Sequence, residues 1–235
     1  SGGDADTDGA GGTVTFNDPL ALQTNVVINT GLGVGNIVFA DTLNATNAFT
    51  DTLTLTAGLG NIEFDGIVGG GVALGTVTIN TTATVNVDAA LTAAALTANG
   101  GNITTFDATG NGITTTGDDD ANGGDVLITA GTALTLDAVT TNGGTDAGDT
   151  QGRNAGAITL SGGDVSLQGA LTATGSDPTT AANAAGAGGA ITVTATDGSP
   201  TIVLNASIDT SGGDADTDGA GGTVTFNDPL ALQTN

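Results

Sequence analysis

The first 25 residues of the chain, SGGDADTDGAGGTVTFNDPLALQTN, recur without a single change as residues 211–235. Identity over that length marks a tandem unit with a period of 210 residues. A chain built from recurring units folds as a stack of similar local structures, each leaning on its neighbours. Residues 1–210 therefore read as one full unit and residues 211–235 as the start of the next. The chain opens at Ser1 in the middle of this pattern, so the expectation is a piece of a longer protein that carries further copies.

A finer period lies within the unit. Val126, Ile158, Ile191 and Val224 each open a similar short string (VLITA, ITLSG, ITVTA, VTFND), at spacings of 32, 33 and 33 residues. Each is followed by a second string: ALTLDA at 133–138, DVSLQG at 164–169, TIVLNA at 201–206, and LALQTN at 20–25 and again at 230–235. A third comes next, VTTNG at 139–143, ALTATG at 170–175, SIDTSG at 207–212 and VVINTG at 26–31, and then a polar, glycine-rich loop. Residues 36–116 repeat the theme with tighter loops.

Three short strands, three bends and one variable loop make one coil of a β-solenoid. The expected fold class is all-β, a parallel β-helix of about eight three-strand coils per unit, rising roughly 38 Å along its axis. The residues suit that architecture. The strings are rich in Val, Ile, Leu and Thr, which favour a pleated surface. Apolar and small polar residues alternate, so Val14 and Phe16 face one way and Thr13 and Thr15 the other. Gly, Asn and Asp mark the bends, where positive φ is tolerated. The Ala-rich stretch at 89–100 is read as continued coil, because Thr and Gly interrupt it and strands flank it.

What is missing narrows the function. The chain has no His, Cys, Met, Trp or Tyr, and a single basic residue, Arg153, against 25 acidic ones, for a net charge of −24. No thiolate metal site or disulfide can form, and the commonest general base is absent. Such a charge repels nucleic acid and anionic membrane. No apolar run is long enough for a membrane-spanning helix, so neither nucleic acid nor membrane insertion is expected.

The strings LTLTAGLGNIEFDGIVGG at 53–70 and LGTVTINTTATVNVDAALTAAALTANGG at 74–101 resemble the repeats of filamentous-haemagglutinin-like giant surface and filament proteins of bacteria. The resemblance implies a right-handed parallel β-helix, an extracellular or cell-surface location, and a role as adhesin, stalk or filament.

Several residues could carry chemistry. Asp4, Asp6 and Asp8, with Gly9, form D-x-D-x-D-G, which recurs at Asp214, Asp216, Asp218 and Gly219. This is the front half of an oxygen-ligand calcium loop, with Thr15 where the closing glutamate would stand. Ca2+ is accordingly the cofactor these residues would hold, with other ligands drawn from the adjacent coil; a solvated acidic turn is the plainer reading. Asp118, Asp119, Asp120, Asp125, Asp146, Asp149 and Asp177 lie in loops that the period places on the same corner, so their carboxylates should form a column. Arg153 is expected to pair with an aspartate there.

Other residues read as structural. The six Phe are expected in the core. Thr15, Thr54, Thr78, Thr159, Thr192 and Thr225 should stack into an outward ladder interrupted by Val38 and Leu127. Such ladders occur on ice-binding solenoids, but the interruptions speak against that use. Asn44, Asn80, Asn102 and Asn205 open N-x-[ST] sequons. No cleft-forming break or aromatic platform suggests catalysis, so no enzyme is expected. The leading expectation is a structural module, the shaft of an extracellular filament or giant surface adhesin whose partners are copies of itself, end to end or within a longer chain. The alternative is an adhesive segment that contacts carbohydrate, a surface or a partner filament through its long acidic loops.

Overall fold

In a computed structural model the chain is described over residues 10–100, 103–109, 112–145, 151–180, 183–197 and 202–232. Every regular element among them is a β-strand, and every strand-to-strand pairing is parallel. The chain winds as a parallel β-solenoid, as the period requires.

Three faces make up each coil. The first is a nine-stranded sheet of Val14–Phe16, Ile37–Phe39, Ile62–Phe64, Thr84–Val87, Thr105–Ala108, Ala133–Leu136, Asp164–Leu167, Ile202–Leu204 and Leu230–Leu232, in that order. The second carries Leu20–Leu22 and Leu43–Ala45, runs through single bridges at Val68, and continues in the start of Leu91–Gly100, then Ile113–Thr114, Val139–Thr140, Leu171–Thr172 and Ile208–Asp209. The third carries Val26–Asn29, Leu53–Gly58, Leu74–Thr81, the rest of Leu91–Gly100, Val126–Thr129, Ile158–Gly162, Ile191–Ala195 and Val224–Phe226. The Ala-rich segment is thus a strand that bends across two faces. Ala serves there because its small side chain fits the bend: Ala93 is fully buried where the strand leaves the second face, and Ala98 is fully buried further on, in the third-face ladder between Ile79 and Ile128.

The alternation read from the sequence sets which residues fill the interior. Leu53, Leu55 and Ala57 point in while Thr54, Thr56 and Gly58 are half-exposed. Ile191, Val193 and Ala195 do the same around Thr192 and Thr194. One continuous apolar core results, and it runs the length of the stack. Phe16, Phe39 and Phe64 stack along it on successive coils, with ring centroids 5.1 and 5.2 Å apart and interplanar angles of 11° and 4°. That separation follows from the ~4.8 Å spacing of paired strands. Asparagines knit the corners: Asn36 Oδ1 accepts from Asn61 N at 2.9 Å, and Asn61 Oδ1 accepts from Thr84 N at 3.3 Å.

Three expectations need correction. Phe49 is not a core residue: it sits in a turn with φ of 55° and lies outside the apolar cluster. The short Asn47–Asp51 turn forces that conformation, which costs a bulky side chain on the order of 1 kcal/mol or more. The outward threonine ladder is also different. On the third face the column reads Val27, Thr54, Thr78, Thr97, Leu127, Thr159, Thr192, Thr225, so Thr97 belongs to it. Thr15 and Val38 pair with each other on the first face instead.

The third correction is one of phase. Strings 20–25 and 26–31 do not share faces with the second and third strings of the later coils: Leu20–Leu22 lies on the second face and Val26–Asn29 on the third. Among the described residues from Val14 up to Val224 the chain passes eight times through the first face, eight through the second and seven through the third. The unit of 210 residues therefore spans seven and two-thirds coils rather than a whole number.

Asp51 anchors the turn beside Phe49. Its carboxylate accepts from Asn47 N at 2.8 Å, Thr46 N at 3.1 Å and Asn47 Nδ2 at 3.2 Å. The backbone hydrogen bond from Asn47, helped by that residue's side chain and by Thr46, holds the carboxyl below its ordinary value, against the opposing effect of burial. A carboxylate depressed in the folded state stabilises it above the unfolded-state value and loses that contribution as pH falls through the folded one. The contribution of Asp51 is therefore expected to be lost on acidification below about pH 4, so the difference in melting temperature between the chain and its Asp51→Asn variant should shrink in acid, which thermal unfolding followed by circular dichroism at stepped pH would show.

Candidate functional site

The corner between the second and third faces carries the long polar loops: 115–125, 141–157, 173–190 and 210–223. Their described residues form a wing on the side of the solenoid. A clasp closes the neck of each loop. Gly124 N donates to Thr115 O at 2.7 Å and Thr115 Oγ1 donates back to Gly124 O at 2.6 Å. Thr141 and Gly156 repeat the pair at 2.7 and 2.8 Å, and Thr210 and Gly222 at 2.7 and 3.0 Å. Ala173 holds the equivalent place in the third loop and keeps only the backbone bond from Gly189, at 2.9 Å. Buried threonine is used here because one hydroxyl satisfies a carbonyl that the strand ladder cannot reach.

Successive loops then bond to one another. Gly123 N donates to Asn154 O at 2.8 Å, Ala155 N to Ala187 O at 2.9 Å, and Gly188 N to Ala220 O at 2.8 Å. Asparagine side chains run beside them: Asn122 Oδ1 accepts from Asn154 N at 3.0 Å, and Asn154 Oδ1 from Ala187 N at 2.8 Å. Ser176, almost fully buried, accepts from Arg153 N through Oγ at 2.8 Å. The glycines of these loops let backbone lie directly on backbone. A Cβ added to Gly124 would land on the carbonyl oxygen of Ala94, and one added to Gly186 on that of Arg153.

The wing displays the acidic residues outward. Asp118, Asp119, Asp120, Asp125, Asp177, Asp214, Asp216 and Asp218 are all exposed. Arg153 pairs with Asp120 of the preceding coil at 2.6 Å, the partnership expected from sequence. Because both side chains reach solvent, neutralising either (Arg153→Gln or Asp120→Asn) is expected to cost only about 0.2–1 kcal/mol, and less in high salt, as denaturant titrations at two ionic strengths would show.

Asp4, Asp6 and Asp8, together with Asp146, Asp149 and Asn102, lie outside the described residues. In the second occurrence the Asp218 carboxylate is engaged with a backbone amide, and the Asp214 backbone with a carboxylate of the preceding coil. Asp218 Oδ1 accepts from Ala215 N at 3.2 Å, and Asp214 N donates to Asp177 Oδ1 at 2.6 Å. Among the described residues no group of three carboxylates is placed to hold a metal ion. Asp209 accepts from Ser211 N at 3.0 Å, and that backbone hydrogen bond lowers its carboxyl from the ordinary value.

Sequence reasoning missed the clasps and one surface feature. Phe49 lines a shallow depression of about 200 Å³ with Ala94, Thr116, Gly117, Asp118, Ala121 and Asn122. The clasp signal was present as Thr115, Thr141 and Thr210, each leading into a glycine-rich loop, but a threonine in a threonine-rich chain does not stand out. Of the sequons, Asn44 uses its Oδ1 to accept from Gly71 N at 2.8 Å and Val72 N at 3.1 Å in the next coil, so its side chain is engaged in holding a corner.

No family model, no curated protein and no solved structure matches the chain.

Proposed function

We propose that the chain is a structural repeat module, the shaft of an extracellular filament or giant cell-surface adhesin of the filamentous-haemagglutinin-like kind, with no catalytic role. The observation that supports this is the parallel ladder over a single apolar core, in which each coil rests on the coils above and below it. The partner is a further copy, joined within a longer chain or end to end. Load along the axis is borne by continuous backbone hydrogen bonds, and the net charge of −24 opposes lateral clumping.

Electron microscopy of the native material tests this reading. A thin fibre one solenoid wide, with a unit repeat of roughly 37 Å, is the expected image; discrete compact particles would overturn it.

A second reading has its own support in the wing, whose exposed acidic side chains offer a built surface to a carbohydrate or partner filament. Attachment assays separate the two. A shaft keeps cell attachment when Asp118, Asp119 and Asp177 become Asn, and an adhesive segment loses it. Calcium, if it acts here, would draw on Asp214, Asp216 and Asp218 and on the equivalent Asp4, Asp6 and Asp8. A rise in melting temperature on adding calcium, removed by Ala at those positions, would establish it; an unchanged melt would leave a solvated acidic turn.

A further inference from the structure

We infer that successive units of the array are rotated against one another by one third of a turn, so that the acidic wing winds around the filament. This rests on the reading that the 210-residue unit recurs. The observation is that one sequence occupies two different faces. In its first occurrence Val14–Phe16 pairs with Ile37–Phe39 on the first face, and Leu20–Leu22 with Leu43–Ala45 on the second. In its second occurrence the same residues, Val224–Phe226 and Leu230–Leu232, pair with Ile191–Val193 on the third face and with Ile202–Leu204 on the first. Each strand has moved back by one face.

The two placements are chemically equivalent, which is why one segment can serve both. Val14 and Phe16 stand opposite the buried Ile37 and Phe39, and Val224 and Phe226 opposite the buried Ile191 and Val193. Inward and outward parity is unchanged: Thr15 faces out beside Val38, and Thr225 beside Thr192. In a continuous array the shared segment has both sets of neighbours at once, Ile191 and Val193 below and Ile37 and Phe39 above. The ladder closes through it with no strand missing, and the ring that stacks on Phe39 at 5.1 Å sits over Val193.

Twenty-three passes per unit cannot divide evenly among three faces. The corner that bears the long loops therefore advances by one position per unit and returns after three. At the ~4.8 Å spacing of paired strands, each unit rises about 37 Å and the wing completes its circuit in about 110 Å. The consequence is functional. Acidic surface is presented on all three sides of the shaft in turn, so no side is left bare for lateral docking of another filament, and a partner that reads the wing meets it from any direction.

The chain itself permits the test, because it has no cysteine to interfere. Outward positions paired across parallel strands stand at about the separation a disulfide spans. Thr15→Cys with Val38→Cys, and Thr225→Cys with Thr192→Cys, are each expected to close on mild oxidation, as read by peptide mapping. Thr159→Cys with Thr192→Cys, a mid-stack pair, is the positive control. Thr225→Cys with Val203→Cys is the pair that in-phase units would bring together, and it should stay open. Closure of that pair, or failure of Thr225→Cys with Thr192→Cys where the control closes, overturns the rotation. If the cross-links form as expected but microscopy shows no fibre, the phase shift within the chain stands and the shaft reading falls.

Discussion

Gly124→Ala is expected to lower stability by about 3 kcal/mol or more, although it adds a single methyl group to a loop. The cause is the wing's construction. Gly124 closes the neck clasp with Thr115, and the space a Cβ would need is filled by the carbonyl oxygen of Ala94, which is backbone and cannot rotate away. Either the clasp opens or the strand beneath it shifts, and the second choice breaks the pairing of Leu96 and Thr97 with Val126 and Leu127. Gly131→Ala is the matched control. Its added Cβ would meet only Ile103 O, at 3.6 Å, so the same methyl should change stability by less than about 0.5 kcal/mol. Equal effects from the two substitutions would mean that the loops are not packed as described.

Phe64→Ala should be as severe and should fail differently. The ring is fully buried, stacked on Phe39 at 5.2 Å, and continues into Val87 on the next coil. Removing it is expected to cost about 3–5 kcal/mol through lost transfer energy and the cavity left behind. In a globular core that loss would be shared by the whole body. A solenoid coil touches only the coils above and below it, so the damage stays local. Hydrogen exchange should show protection lost over the coils that contain Ile37–Phe39, Ile62–Phe64 and Thr84–Val87, while the coils from Val126 onward keep theirs. Uniform loss of protection along the chain would mean that the stack folds as one cooperative unit.

Much of the fold could be read from residues 126–232, and the reason is periodicity. Val126, Ile158, Ile191 and Val224 were spaced almost evenly, and all four pair in register on the third face. The alternation within each string was equally readable, because a side chain that alternates between core and water leaves a period of two. The pairing of Arg153 with an aspartate could be foreseen since one cation among so many carboxylates has little other choice.

Three features were not readable, each for its own reason. Phe49 carries the same label as the core phenylalanines, and only the turn closed by Asp51 puts it outside. The stacking of the loops depends on glycine backbone meeting backbone from the next coil, a contact that leaves no side-chain pattern to find. Asp218 turns one carboxylate oxygen to the Ala215 amide, and spacing alone does not say so.

What the sequence determined by itself is the local grammar: short strands, their inward and outward sides, the positions of bends, and the fact that layers pile up. These are properties of neighbours along the chain, and composition and period express them directly. What only the tertiary structure decided is the face on which each strand lies. Residues 14–22 and 224–232 are identical, yet they lie on different faces, because the number of strands between them is not a multiple of three. A strand carries its own parity, but its face is the running sum of every bend before it, and that sum exists only once the chain has been wound.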